Sequence, residues 1–349
     1  MTEVLRVDPI DPDPAAIARA ADCLRGGGLV AFPTETVYGL GVHALDREAL
    51  LRLFAAKQRP ANDPLIVHVK AIDDVAPLVA ELPAEAKSLA ARFWPGPLTI
   101  VLWRSPAVPD EVTAGLATVA VRVPSHPVAR ALIAAAGIPV AAPSANLFSR
   151  PSPTDASHVI ADLDGRIDMI VDAGPTPVGL ESTVLDLSQD PPVVLRPGAV
   201  GVELLQTVIP DVRFSRESTP AGAARPSPGL MSRHYSPRTP VTLYEGDRDM
   251  ALRLMRRDAQ RLFDQGKTVI VLAFSEDVER LAQLPVRITQ LGREQEPAEV
   301  AARLYSALRE CDDSGGDIVL VRALATHHAL SAAICDRLRR AAAGRIVRE

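Results

Sequence analysis

A chain of 349 residues is long for one core, and length alone points to about two domains. With 47% hydrophobic and 23% charged residues it has the composition of a globular protein, not of a disordered one. A formal net charge of −5 and 4% aromatic residues speak against a general nucleic-acid binder, which needs a basic surface and stacking platforms, so no stable nucleic-acid binding is expected.

The chain opens on MTEVLRVDPI, which lacks the basic and apolar blocks of a signal peptide. No apolar run approaches the ~20 residues a membrane span needs, so a soluble, cytoplasmic protein without a membrane partner is expected. Cys23, Cys311 and Cys335 lie far apart with no CxxC pair, which predicts neither a disulfide framework nor a zinc site, and no protein-built metal site is expected.

In GGGLVAFP the glycines end a helix and a buried strand follows over 29–32. PTETVYGLG comes directly after it and carries Thr34, Glu35, Thr36 and Tyr38. Because Thr is a good N-cap, the plain reading is the start of a helix; the other reading is a ligand-facing loop. DREALLRLFAAK has apolar residues at helical spacing and runs into KQRPANDPLIVH. Pro60 disfavours helix at Arg59, so Lys57 and Arg59 can converge where the helix unwinds, a place suited to phosphate oxygens. A solvated helix end is the competing reading.

Further strands are predicted at 65–69 (LIVHV, with His68), 98–103 (LTIVLW), 118–124 (TVAVRVP), 139–146 (PVAAPSAN), and in MIVDAG and STVLDL. A helix, PVARALIAAAG, lies among them. Arg122 stands inside TVAVRVP flanked by valines. A buried cation there must be paired internally or bind an anionic ligand. Ser144 and Asn146 follow the strand in APSANLFSRPSPT, where a ligand loop at a strand end competes with a plain Pro-Ser-Asn turn. GLESTVLDL offers Ser182 and Thr183, and VLRPGAV places Arg196 at another strand end. Residues 1–214 therefore read as an α/β domain with a mixed twisted sheet and helices packed on it.

From 215 the composition turns to Ser, Thr, Pro, Ala, Gly and Arg without period, which is a linker signal over 215–240. Within it, PSPGLMSRHYSPRTP carries Arg233, His234 and Tyr235, which a tether does not need and which no apolar pattern gives a packing role. Strand–helix alternation restarts at 241 and continues to the end: VTLYEG, a helix over 248–265, TVIVLAF, a short helix, VRITQLG, PAEVAARLYSALREC, DIVLVRAL and a final helix from about His328. In PAEVAARLYSALREC, Val300, Leu304, Leu308 and Cys311 share one face. This predicts a small parallel-sheet, Rossmann-like α/β domain over 241–349, with neither GxGxxG nor a P-loop to bind a nucleotide of its own.

FPTETVYGLG, KQRP…PLIVHV, FWPGPLT, VRVPSHP, APSANLFSRPSPT, ESTVLDL and LRPG together resemble the YrdC-like family in its long, two-domain form. The resemblance covers 4–210 and extends through the linker. It implies a nucleotidyltransferase that condenses L-threonine, bicarbonate or CO2, and ATP into threonylcarbamoyl-AMP and pyrophosphate. That product serves tRNA threonylcarbamoyladenosine modification beside the anticodon, through a downstream tRNA threonylcarbamoyl-transferase machinery. The family tetrad is intact as Lys57, Arg59, Ser144 and Asn146. By resemblance Arg122 would hold the threonine carboxylate, and Thr36, His68, Ala142 and Ser182 would contact the rest of the amino acid. Arg59, Asp63, Thr118, Ser144, Ser152 and Arg196 would bind ATP, Mg²⁺ would accompany it, and His234 and Tyr235 would close over the triphosphate as a lid. The lid departs from the family in one place: the usual Ser-Pro-Gly-Met start reads Ser-Pro-Gly-Leu, and Met231 stands where a basic residue is common. The rivals are an RNA-binding module, opposed by charge and scarce aromatics, and a carbamoyl-phosphate-handling domain, opposed by the absence of zinc-finger cysteine pairs.

Overall fold

The computed structural model describes residues 1–215, 227, 234–324 and 329–348. Most of the predicted linker lies outside the described residues, as does His328. The chain divides into two compact units: residues 1–148 with 152–230, and residues 149–151 with 231–349.

The first unit is built from β1 (Glu3–Arg6), α1 (Pro14–Arg25), β2 (Val30–Pro33), β3 (Tyr38–His43), α2 (Arg47–Lys57), β4 (Ile66–His68), α3 (Ala84–Phe93), β5 (Leu98–Trp103), α4 (Asp110–Thr113), β6 (Thr118–Arg122), α5 (Pro127–Ala136), β7 (Val140–Ala141), α6 (Ala156–Leu163), β8 (Met169–Asp172), β9 (Thr183–Asp186), β10 (Val193–Arg196), α7 (Val202–Gln206) and β11 (Arg213–Phe214). Its strands form one mixed sheet in the order β1-β8-β2-β3-β7-β4-β6-β5-β9-β10-β11. Two apolar clusters bury it: Leu50, Leu53 and Leu89 from α2 and α3 pack with Val67, Ile100 and Val121, while Leu24, Leu132 and Ile133 from α1 and α5 pack with Val30, Phe32 and Val171. α2 starts at Asp46, whose carboxylate accepts from the Glu48 and Ala49 N–H groups. It ends at Gln58, in the left-handed region at φ 54.

Two predicted elements differ from the observed ones. PTETVYGLG starts no helix: Thr34–Val37 turn the chain between β2 and β3, which pair antiparallel. The Thr34 hydroxyl accepts from the Thr36 and Val37 N–H groups and donates to the Val37 carbonyl. A threonine that could cap a helix here builds a hydroxyl-bonded turn instead. The strand predicted at 139–146 is only the two residues of β7, because Pro139 and Pro143 flank it and neither has an N–H to give to a ladder.

The second unit holds β12 (Val241–Tyr244), α8 (Arg248–Asp264), β13 (Val269–Phe274), α9 (Val278–Leu281), β14 (Arg287–Gly292), α10 (Pro297–Asp313), β15 (Ile318–Arg322), α11 (Ala329–Ala342) and β16 (Ile346–Val347). All pairings are parallel, in the order β14-β13-β15-β12-β16. This is the parallel domain the alternation predicts, with β16 as an edge strand too short to read from sequence. Val300, Leu304, Leu308 and Cys311 on α10 are all fully buried. Tyr235 belongs to this unit and does have a packing role, contrary to expectation. It is buried at φ 57, beside the His234 ring at 4.1 Å and the Tyr305 ring at 5.5 Å, with the Arg337 guanidinium 5.1 Å from its centroid. The unit also gathers part of the loop after Asn146: the Ser236 N–H donates to the Ser149 carbonyl, and Arg309 to that of Pro151. Among the described residues no helix is long and apolar enough to cross a membrane.

Candidate active site

The sheet brings three of the predicted threonine ligands together. β4 and β6 are parallel, with His68 and Arg122 in register at their carboxyl ends. The β2–β3 turn delivers Thr36 to the same point, where its hydroxyl accepts from Arg122 Nη2 at 3.1 Å. Arg122 Nε donates to the Gly96 carbonyl at 3.3 Å, and Nη2 lies 2.8 Å from Glu35 Oε1. Among the described residues Nη1 makes no hydrogen bond, so this guanidinium, only 4% exposed, keeps donors for a ligand. Burial, assisted by the Arg122 charge, pushes the His68 imidazole down to about 3, so it is neutral at physiological pH. Burial alone would raise the Glu35 carboxyl; the Arg122 charge outweighs it and holds Glu35 below the usual carboxylate range.

The tetrad forms a second cluster. Lys57, the last residue of α2, is 1% exposed and donates from Nζ to the carbonyls of Ser144 at 2.5 Å and Asn146 at 2.6 Å. Burial and then the neighbouring Arg59 charge pull its amine well below the usual lysine range. Lys57 and Arg59 are near enough for the Arg59 charge to act on the amine, but their partners differ. Arg59 turns to Asp63, 2.9 Å away, and donates to the carbonyls of Asp63 and Pro64. Ser144 bridges to Gly39 on β3, and the Asn146 side chain donates to the Leu147 carbonyl.

Ser182 and Arg196 meet directly: Arg196 Nη2 donates to the Ser182 hydroxyl at 3.2 Å and Nε to its carbonyl at 3.1 Å. Thr99 holds the same hydroxyl at 2.8 Å. The approach requires glycine in LRPG, since a Cβ on Gly198 would stand 2.3 Å from the Thr183 nitrogen. Ser152 is fully buried and donates to Glu181 at 2.5 Å. Ala142 gives its N–H to the Ile66 carbonyl on β4. Thr118 sits at the opposite end of β6 from Arg122, four residues or about 13 Å away. A ligand touching both must run the length of that strand. His234 and Tyr235 belong to the second unit. A cavity of about 480 Å³ edged by Lys70, Lys87, Trp94 and Arg130 contains none of the predicted site residues. Among the described residues no cluster of His, Cys, Asp and Glu could hold a metal ion.

Sequence reasoning assigned no role to Glu35, Gly96, Thr99 or Glu181. Each acts on an assigned residue across the fold, a relation no local pattern carries.

Buried cations and small hydroxyls lie at the strand ends of a mixed sheet, in a chain whose second unit is a parallel α/β sheet domain, the arrangement of a two-unit α/β enzyme. Residues 22–198 match the family described as "Telomere recombination" (Sua5–YciO–YrdC). Residues 200–343 match "Threonylcarbamoyl-AMP synthase, C-terminal domain". The threonylcarbamoyl-AMP synthase of Pyrococcus abyssi is 43% identical over 94% of each chain. That of Bacillus subtilis is 42% identical over 98% of this chain and 97% of its own. The crystal structure of P. abyssi Sua5 complexed with L-threonine superposes with a TM-score of 0.92 at 41% identity, covering all of both chains. The chain belongs to the threonylcarbamoyl-AMP synthase family, enzymes of the nucleotidyltransferase type.

Proposed function

We propose that the first unit condenses L-threonine, bicarbonate and ATP into threonylcarbamoyl-AMP, pyrophosphate and water, and that a tRNA threonylcarbamoyl-transferase consumes the product. The observation that carries this reading is Arg122, a buried cation with uncommitted donors beside Thr36 and His68, in a chain of this family. Its open Nη1 edge receives the threonine carboxylate, the bidentate fit for which a guanidinium is suited. His68 and Thr36 line the amino acid, with Ala142 and Ser182.

The threonine amine takes up CO2 as a carbamate, and a carbamate oxygen attacks the α-phosphorus as pyrophosphate leaves. No protein nucleophile is needed; the site positions two anions and offsets their charge. That task falls to Lys57, Arg59 and Arg196, with Ser144, Asn146 and Ser152 around the nucleotide and Asp63 and Thr118 along it. Lys57 Nζ is held in place by the Ser144 and Asn146 carbonyls. Mg²⁺ enters with ATP. When bound, the ion would supply charge neutralisation at the phosphates; among the described residues no group of acidic or histidine side chains is gathered to hold it, and Asp63 is paired with Arg59.

His234 and Tyr235 act in this reading as a lid that shields the labile anhydride from water. Support comes from the retained His-Tyr-x-Pro sequence at 234–237. The test is pyrophosphate release with ATP and bicarbonate, with threonine present or omitted. Release that does not depend on threonine overturns the reading. A chain ending near Phe214 should stay folded and lose most of the synthesis, as should His234→Ala; full activity in both removes the lid.

A further inference from the structure

We infer that Glu35 contacts the substrate directly, its Oε1 accepting a hydrogen bond from the amino group of threonine; this rests on Arg122 receiving the carboxylate. Glu35 is 6% exposed, and its two oxygens are treated differently. Oε2 accepts the Ser125 N–H at 3.1 Å. Oε1 lies 2.8 Å from Arg122 Nη2, yet no donor is aligned on it, so it is a buried carboxylate oxygen without a hydrogen bond. Native structures rarely leave such an atom unpaired unless a ligand completes it. Arg122 Nη2 directs one N–H to the Thr36 hydroxyl and Nε donates to Gly96, while the other N–H of Nη2 makes an ion pair with Oε1 without lining up on it.

A donor that arrives with the substrate, beside a carboxylate bound on Arg122, completes this oxygen. An α-amino acid presents one: its ammonium is one carbon from the carboxylate, and an acid next to an arginine matches that zwitterion charge for charge. The position also serves the later carbamate, which still has one N–H to donate. Glu35 and Arg122 thus read the α-amino and α-carboxyl groups as a pair, and Thr36 sits between them in sequence and in space.

Glu35→Gln keeps the shape and removes the charge; Glu35→Asp keeps the charge and withdraws it. The probes are L-threonine and 3-hydroxybutanoate, which is threonine without its amine, measured as KM and as an inhibition constant, with melting curves and ATP affinity as controls. Glu35→Gln should raise the threonine KM at least tenfold and leave 3-hydroxybutanoate inhibition and ATP affinity within about twofold; Glu35→Asp should recover part of the loss. Arg122→Ala should weaken both carboxylate ligands. An equal loss of both probes in Glu35→Gln means that Glu35 acts only by holding Arg122 and overturns the contact. An unchanged threonine KM overturns it as well. If Arg122→Ala leaves both probes unaffected, the assignment of the carboxylate to Arg122 fails instead.

Discussion

Arg122 and Arg322 are near-copies in sequence: each ends a five-residue buried strand, TVAVR in the first unit and IVLVR in the second. Their surroundings differ. Arg322 is 1% exposed and gives Nε to Asp277 at 2.6 Å and both Nη atoms to Glu294 at 2.9 and 2.6 Å. A second bond from Nη1 reaches the Ala323 carbonyl, and the Phe274 ring lies 4.4 Å away. Burial alone would lower its affinity for the proton; the two carboxylates outweigh it and raise that affinity. Arg122 has one carboxylate, badly aligned, and an open edge. A buried charge whose partners are all present holds a fold together, whereas one with donors left over is the candidate for a ligand contact, the role proposed for Arg122.

The comparison breaks most visibly in the second unit. Arg322→Met removes both bonds to Glu294 and leaves Asp277 with Arg248 alone, and the second unit should lose about 3–5 kcal/mol in denaturant unfolding. Threonine and ATP affinities measured below the transition should not change. A cost under about 1 kcal/mol would show that the triad is not what holds that end of the sheet.

Lys57→Met sharpens the contrast from the other side. Lysine burial disfavours the charged amine, which offsets the two carbonyl hydrogen bonds lost, so stability at neutral pH should fall by no more than about 1 kcal/mol. Turnover should fall by about 10²-fold or more, the scale seen when one positioned donor is removed. A variant that is both inactive and strongly unfolded would make Lys57 a structural cation like Arg322.

The smallest expected effect is a slope. His68 has a folded value of about 3 against 6.5 as reference. The unfolded chain therefore binds a proton in this window that the native state does not. Stability from this source is full above about 6.5 and is lost as pH falls towards 3, by at most about 1.4 kcal/mol per pH unit. His68→Gln should flatten that part of the profile; unchanged slopes from pH 6.5 to 5 would mean that His68 is solvated.

Much of this protein is written locally. Apolar runs of strand length, helical spacing in α2, α5 and α10, and the change of composition after 214 mark the two α/β domains, because burial and backbone periodicity act over neighbouring residues. The candidate site residues Lys57, Arg59, Arg122, Ser144 and Asn146 lie at strand ends and turns, where each is a weak signal by itself and only the combination of motifs singles them out. What the sequence cannot contain is the partner of each charge. Thr34 has the chemistry of a helix cap and becomes a hairpin turn because β3 pairs with β2. Tyr235 looks like a linker residue and is buried against Tyr305, seventy residues later. Arg122 and Arg322 carry one local signature; that the first meets only a misaligned Glu35, and the second is enclosed by Asp277 and Glu294, is decided by strand order and by which loops the sheets bring to each strand end.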